Sequence, residues 1–153
     1  MIGFYLNGKP VFGEFNPGTT LFDYLRDQEI FSVKFGSEKG ETGADSVLLD
    51  GKVMNSSLLL MHTIDGKVIE TIESFSQGVD VHPLQEAFIE EGAVQCGYCT
   101  PSMILAAESL LRENPTPNDD YVRESLSGVY CRCTGFVKPI QAIMKYATSR
   151  EDR

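Results

Sequence analysis

The sequence predicts an α+β protein in two parts, a small sheet domain over residues 1–76 and a helical domain over 77–153. Two observations predict the first part: Asn7-Gly8 and Asp50-Gly51 each sit between short apolar runs, the strongest local signal for a tight hairpin. One predicts the second: Pro and Thr recur at the starts of amphipathic stretches that end at Gly or Asn-Pro. The chain has 153 residues and 42% are hydrophobic, enough to bury a real core.

In order, strands are expected over Ile2 to Leu6 and Pro10 to Phe15, then a helix capped by Thr19 or Thr20 and carrying Leu21, Phe22, Tyr24 and Leu25. Residues 34–46 (KFGSEKGETGADS) read as a Gly-rich polar loop. A second hairpin pairs Ser46 to Leu49 with Lys52 to Asn55, and a last strand runs from Lys67 to Ile72. Two hairpins, a crossing helix and a final strand suit a β-grasp arrangement. The break between halves is expected in the polar stretch Ser74 to Asp80.

Four helices are expected beyond it: His82-Pro83 to Glu91, with Gly92 as the stop; Thr100-Pro101 to just before Asn114-Pro115; Thr116-Pro117 to Gly128; and one capped by Thr134. The turns EEGAVQCGYCTP and LSGVYCRCTG join them in two helical hairpins. A pseudo-twofold relating the hairpins would gather Cys96, Cys99, Cys131 and Cys133 inside a four-helix bundle.

The formal net charge is −9, which argues against nucleic acid or an anionic membrane surface as partner. The longest apolar run, Met103 to Ala107, is far too short to span a bilayer, and the N-terminus lacks the basic and apolar regions of a secretion signal. A cytoplasmic location is therefore expected, where paired cysteines hold metals or do redox chemistry more often than they form disulfides. His62 and His82 have no cysteine or second histidine at ligand spacing, so both are expected to be structural. Glu90-Glu91 and Asp119-Asp120 read as solvated faces, and Met103 and Met144 as core. No Walker-type loop, dinucleotide fingerprint or nucleophile–base pair is present, so the chain offers no catalytic residue of its own.

A C-x2-C turn and a C-x-C turn supply four thiolates at helix starts, where amide N–H groups favour negative charge. Spacing alone leaves zinc and an iron–sulfur cluster open, because an all-sulfur shell suits both. The surrounding words decide between them. Gln95-Cys96-Gly97-Tyr98-Cys99-Thr100-Pro101 and Leu126-Ser127-Gly128-Val129-Tyr130-Cys131-Arg132-Cys133-Thr134-Gly135-Phe136 closely resemble the helical [2Fe–2S] domain of the molybdenum hydroxylases, the xanthine dehydrogenase, aldehyde oxidase and carbon monoxide dehydrogenase family. The resemblance runs from the Asn7-Gly8 hairpin to Ala147.

The resemblance implies a ferredoxin-like β-grasp domain followed by a four-helix domain with its own cluster. It implies Cys96, Cys99, Cys131 and Cys133 as ligands, with Gln95 and Cys133 near the molybdopterin of a large partner subunit. In such complexes electrons pass from the molybdenum centre through the helical-domain cluster, then the ferredoxin-like cluster, to FAD on a medium subunit or domain. Here the sequence departs from its family. The ferredoxin-like frame of C-x4-C-x2-C and a later cysteine falls on Ser37, Thr42, Asp45 and Ser57, so all four thiolates are gone. Four oxygen donors leave no soft ligand for an iron–sulfide pair. The stretch is expected as a solvated loop, with a hard cation on Asp45, Glu38 and Glu41 as the lesser alternative. One cluster is expected, and the function is that of an electron-transfer subunit. The alternative is an assembly subunit stabilised by a cluster or by zinc.

Overall fold

A computed structural model describes residues 1–76 and 80–151. Residues 77–79, on which the expected domain boundary and part of the Ser74 to Asp80 linker fall, lie outside the described residues.

The first half is a five-stranded sheet in the order β2-β1-β5-β3-β4. Strands β1 (Ile2–Leu6) and β2 (Lys9–Gly13) form the first hairpin, and β3 (Ser46–Leu49) and β4 (Lys52–Asn55) the second. Asn7 and Gly8, and likewise Asp50 and Gly51, all have positive φ, the mirror-image turn whose twist matches flanking strands. Strand β5 (Val68–Glu70) runs parallel to β1 and antiparallel to β3, closing the sheet between them. It is shorter than the expected Lys67 to Ile72. Asp50 trims it at one end by accepting from the Val68 amide at 2.9 Å and from Lys67 Nζ at 2.8 Å, and a 3-10 turn over Ile72–Ser74 follows Glu70. Strand β2 likewise stops at Gly13 rather than Phe15.

Helix α1 (Leu21–Asp27) crosses the sheet. Thr20 caps it in a reciprocal box with Asp23: the Asp23 amide donates to Thr20 Oγ1 at 3.1 Å, and the Thr20 amide and hydroxyl donate to the Asp23 carboxylate. Leu21 and Leu25 then face Phe4, Val47, Met61, Ile64 and Ile69 in a closed core.

The second half packs α2 (Pro83–Glu90), α3 (Thr100–Glu113), α4 (Asp119–Leu126) and α5 (Val137–Glu151) round a separate core that includes Phe88, Met103, Leu111, Val122 and Ile143. Helix α2 lies on α5 and α3 on α4, the two contacts that the expected pseudo-twofold exchanges. Two expectations for helix starts are corrected. Helix α4 begins at Asp119, not at Thr116-Pro117: Asn118 Oδ1 accepts the Tyr121 amide at 2.9 Å and takes the capping role. Thr134 does not cap α5, because its hydroxyl points at Cys131 instead, and Gly135 and Phe136 turn the chain through positive φ before the helix starts. The acidic pairs are only partly solvated faces: Lys145 reaches Glu90 and Glu91 at 3.0 and 2.9 Å, and Arg123 reaches Asp119 at 2.8 Å.

The halves are joined along α3 and the loop after β2–α1. Arg112 of α3 forms a fork onto Glu70 of β5 at 2.6 and 3.1 Å and reaches Glu108 at 3.0 Å, while the Val53 amide of β4 donates to Ser109 Oγ at 3.1 Å. At the other end Gly43 lies so close to the helical half that a Cβ there would stand 2.0 Å from the Gly128 carbonyl oxygen. That approach is open only to glycine.

Candidate metal centre

Both cysteine turns follow a helix end. Helix α2 ends at Glu90, and Gly92 just beyond it, with a φ of +64°, lets the Ala93 amide return to the Phe88 carbonyl at 2.8 Å. The chain then turns through Gly97, also at positive φ, and delivers Cys99 to the N-cap of α3. Helix α4 stops at Leu126, the Val129 amide bonds back to the Leu126 carbonyl at 3.0 Å, and Cys131 and Cys133 follow. The expectation that all four thiols sit at helix starts holds for Cys99; Cys131 and Cys133 lie on the turn ahead of α5, from which Cys131 draws donors, while Cys133 bonds to Cys96 of the other turn. Thr134 donates to Cys131 Sγ twice, from its amide at 3.4 Å and its hydroxyl at 3.1 Å.

All four cysteines line one cavity of about 370 Å³. Across it Cys99 and Cys131 act on each other's ionisation, and Cys96 and Cys133 likewise. Each pair takes one member from each turn, so the cavity exists only when the two helical hairpins are together. Cys99 is buried and Cys131 half-buried, whereas Cys96 and Cys133 are exposed. Gln95 and Arg132 are exposed beside them, on the outer rim.

The electrostatics follow this burial. The Cys99 thiol is pushed up to about 12 by burial first, and then by the hydrogen bond and charge of Cys131 and the charge of Cys96. Burial, the largest single influence, raises Cys131 as well, but the two Thr134 donors together with the Cys99 thiol and the Cys133 amide bring its pKa below the ordinary thiol value. Cys133 is raised, chiefly through its hydrogen bond with Cys96. Four thiolates cannot crowd this cavity unaided. A cation that neutralises them displaces their protons, which is how thiolate metal sites load.

The donor set fits a thiolate-ligated binuclear cluster: four soft ligands, two from each turn, lining one cavity. Among the described residues no three His, Cys, Asp or Glu side chains converge as one ion's ligands.

The remaining wall comes from the first half, and sequence reasoning missed it. Phe35, Gly36, Thr42 and Ala44 line the same cavity. The Tyr98 hydroxyl donates to the Phe35 carbonyl, and the Tyr130 amide, next to Cys131, donates to the Thr42 carbonyl at 2.8 Å. The glycines of GSEKGETGA were the available signal, Gly43 above all.

The four positions that match the family's other ligands do not form a solvated loop. Asp45 is 1% exposed, and Ala44 and Ser46 beside it are buried. Asp45 Oδ2 accepts the Ser57 amide at 2.8 Å, and Asp45 Oδ1 accepts from Asn55 at 3.4 Å. Ser37 Oγ accepts the Lys39 and Glu41 amides at 3.2 and 3.1 Å, and Thr42 Oγ1 accepts the Ala44 amide at 3.3 Å. The Asp45 carboxylate is engaged by the chain itself, so the expected alternative of a hard cation held with Glu38 and Glu41 finds no geometry here.

Fold and cavity together define an α+β iron–sulfur protein, a β-grasp half walling the thiol pocket of a helical half. Residues 71–144 match the [2Fe-2S] binding domain family. The chain is 41% identical over 150 residues to the nicotinate dehydrogenase small FeS subunit of Eubacterium barkeri, covering 97% of this chain and 95% of that one. It superposes on a chain of quinoline 2-oxidoreductase from Pseudomonas putida 86 with a TM-score of 0.92 at 40% identity, covering 99% and 95% of the two. It is also 41% identical over 131 residues to the aldehyde oxidoreductase of Megalodesulfovibrio gigas, where the match takes up 83% of this chain but 14% of that much longer one. The chain belongs to the small iron–sulfur subunits of the molybdenum hydroxylases. It is an electron-transfer subunit of an oxidoreductase complex. No helix among the described residues is long and apolar enough to cross a membrane.

Proposed function

We propose that this chain carries electrons through a single [2Fe–2S] cluster held by Cys96, Cys99, Cys131 and Cys133, and that its β-grasp half holds none. The observation that carries the reading is the gathering of four thiols on one cavity, against oxygen side chains at Ser37, Thr42, Asp45 and Ser57, of which the first three accept hydrogen bonds from the chain's own amides. The cluster supplies one-electron storage when bound. The chain's own residues hold it: Cys99 and Cys131 on the inner side, Cys96 and Cys133 on the outer, with Thr134 donating to Cys131 and so favouring its anionic form.

The exposed rim of Gln95, Cys96, Arg132 and Cys133 faces the molybdopterin of a large partner subunit, which performs the hydroxylation. Electrons enter at this rim. With no second cluster on this chain, they leave to a different acceptor, whether a centre on a FAD-binding medium subunit or one that dispenses with flavin. The complex works in the cytoplasm, where thiolates stay reduced.

Iron and acid-labile sulfide assays with low-temperature EPR on the reduced chain test this. One cluster's worth of iron and sulfide and one signal are expected, both lost in Cys99→Ser. A second signal from this chain overturns the emptied first half. Zinc in place of iron overturns the redox role and leaves an assembly subunit.

A further inference from the structure

Among the described residues, Asp45 is the one charged side chain that is buried. Its position is expensive unless the carboxylate does something a neutral side chain would not. The donors around it are neutral and come from one short stretch. The Ser57 amide meets Oδ2 at 2.8 Å and the Asn55 carboxamide meets Oδ1 at 3.4 Å; Ser56 meets the Asp45 carbonyl oxygen with its amide at 3.1 Å and its hydroxyl at 2.7 Å. The same Asn55 nitrogen donates to the Gly40 carbonyl at 2.5 Å. Asp45 and Asn55 thus tie the loop over residues 36–45 to the end of β4 at both of the loop's turns.

That loop is the far wall of the cysteine cavity. It presents Phe35, Gly36, Thr42 and Ala44 to the thiols, gives its Thr42 carbonyl to the Tyr130 amide one residue before Cys131, and backs Gly43 onto the Gly128 carbonyl. The Ser46 hydroxyl donates to the Gly43 carbonyl at 2.6 Å, so the glycine that touches the helical half hangs from residues adjoining Asp45. A path of contacts therefore runs from a carboxylate in one half, through Asn55 and the Gly40 carbonyl, to the Thr42 carbonyl and the Tyr130 amide ahead of Cys131 in the other.

We propose that Asp45 is a positioning residue for the cysteine centre: its carboxylate holds the loop that seals the cluster cavity and fixes the backbone ahead of Cys131. The proposal rests on the reading that these cysteines hold the cluster. The potential of such a cluster follows its solvent exposure and the hydrogen bonds round its sulfurs. Reduction adds an electron to a site that is already anionic, and water stabilises the larger charge. Loosening the loop therefore admits water and moves the midpoint potential upward.

The test measures redox titrations and EPR spectra of the full chain carrying its cluster. The wild type is read first: no [2Fe–2S] signal there refutes the proposed function, independently of Asp45. With that signal present, Asp45→Ala is expected to raise the midpoint and broaden the EPR signal. Asp45→Asn, which keeps one acceptor for the Ser57 amide, moves both less. Leu25→Ala, which opens a hole in the sheet core away from the loop, lowers stability and leaves both in place. Gly43→Ala presses on the Gly128 contact directly and supplies a second route to the same shift. Wild-type midpoints and spectra in Asp45→Ala and Gly43→Ala overturn the proposal, as does an equal shift in Leu25→Ala. Should those two variants not accumulate, Asp45→Asn decides alone: a displaced midpoint supports the proposal and an unmoved one overturns it.

Discussion

Replacing Arg112 by Ala removes the fork that ties α3 to β5, and its cost follows from the geometry. The guanidinium makes two bonds to Glu70, at 2.6 and 3.1 Å, and one to Glu108 at 3.0 Å. A hydrogen bond to a charged group is worth about 1.5–3 kcal/mol net when buried. The Arg112 side chain is 37% exposed, so solvent screening brings each interaction down to about 1 kcal/mol or less. The larger effect is what the substitution leaves behind. Glu108 is only 12% exposed, and its Oε2 is already buried without a partner. Stripped of Arg112, both of its oxygens stand unpaired near the Glu70 carboxylate, adding about 1–3 kcal/mol. The total expected for Arg112→Ala is a loss of about 2–4 kcal/mol. Urea unfolding of the full chain, followed by far-UV circular dichroism, measures it. Arg112→Lys keeps the charge without the fork and should recover about half. A loss below about 0.5 kcal/mol in Arg112→Ala would refute the argument that this fork fastens the two halves.

Other expectations concern pH, packing and thiol chemistry. His82 caps α2 by accepting the Leu84 amide on Nδ1 at 3.2 Å, and burial first, then the charges of Arg150 and Arg112 against that of Glu108, hold its pKa below the ordinary 6.5. The unfolded chain therefore binds the proton first, so stability is full above about pH 6.5 and falls as pH drops through the window below it, then levels off. His82→Asn keeps a cap and should flatten that window in pH-dependent urea titrations. Leu111, with no exposed surface in the helical core, should cost about 2–5 kcal/mol on truncation to Ala, read from the same unfolding curves. In the metal-free chain at about pH 8, iodoacetamide should label Cys131, lowered by Thr134, well before Cys99, which stays protonated; Thr134→Val, which removes the hydroxyl donor, should slow Cys131 and narrow the lead. Equal labelling rates in the wild type would contradict the electrostatic account of the site.

Local chemistry was legible wherever a turn or cap is made by neighbours in sequence. Asn7-Gly8 and Asp50-Gly51 announce their hairpins because few other dipeptides tolerate two positive φ angles in a row. Thr20 and His82-Pro83 mark real helix starts because each capping side chain takes an amide two or three residues ahead of it. Where two signals competed, the nearer one misled. Thr116-Pro117 outbid Asn118 as the start of α4, and Thr134 was read as a cap although a sulfur three residues back claims its hydroxyl. The four cysteines were legible as a set because they arrive in two short words. The wall facing them was not, since Phe35 and Thr42 join the cavity through the Tyr98 and Tyr130 bonds, which no periodicity encodes. Asp45 reads as one more charge in a polar loop, and only its contacts with Asn55, Ser56 and Ser57 reveal a buried clasp.

The parallel pairing of β1 with β5 has a consequence for biosynthesis. Strand β1 has its second neighbour at Val68–Glu70, so its edge stays open until that stretch emerges from the ribosome. The wall around Thr42 waits longer still, for an amide at Tyr130. The receptacle around the cysteines is therefore complete only once the stretch through Tyr130 to Cys133 has been made, and loading waits for it.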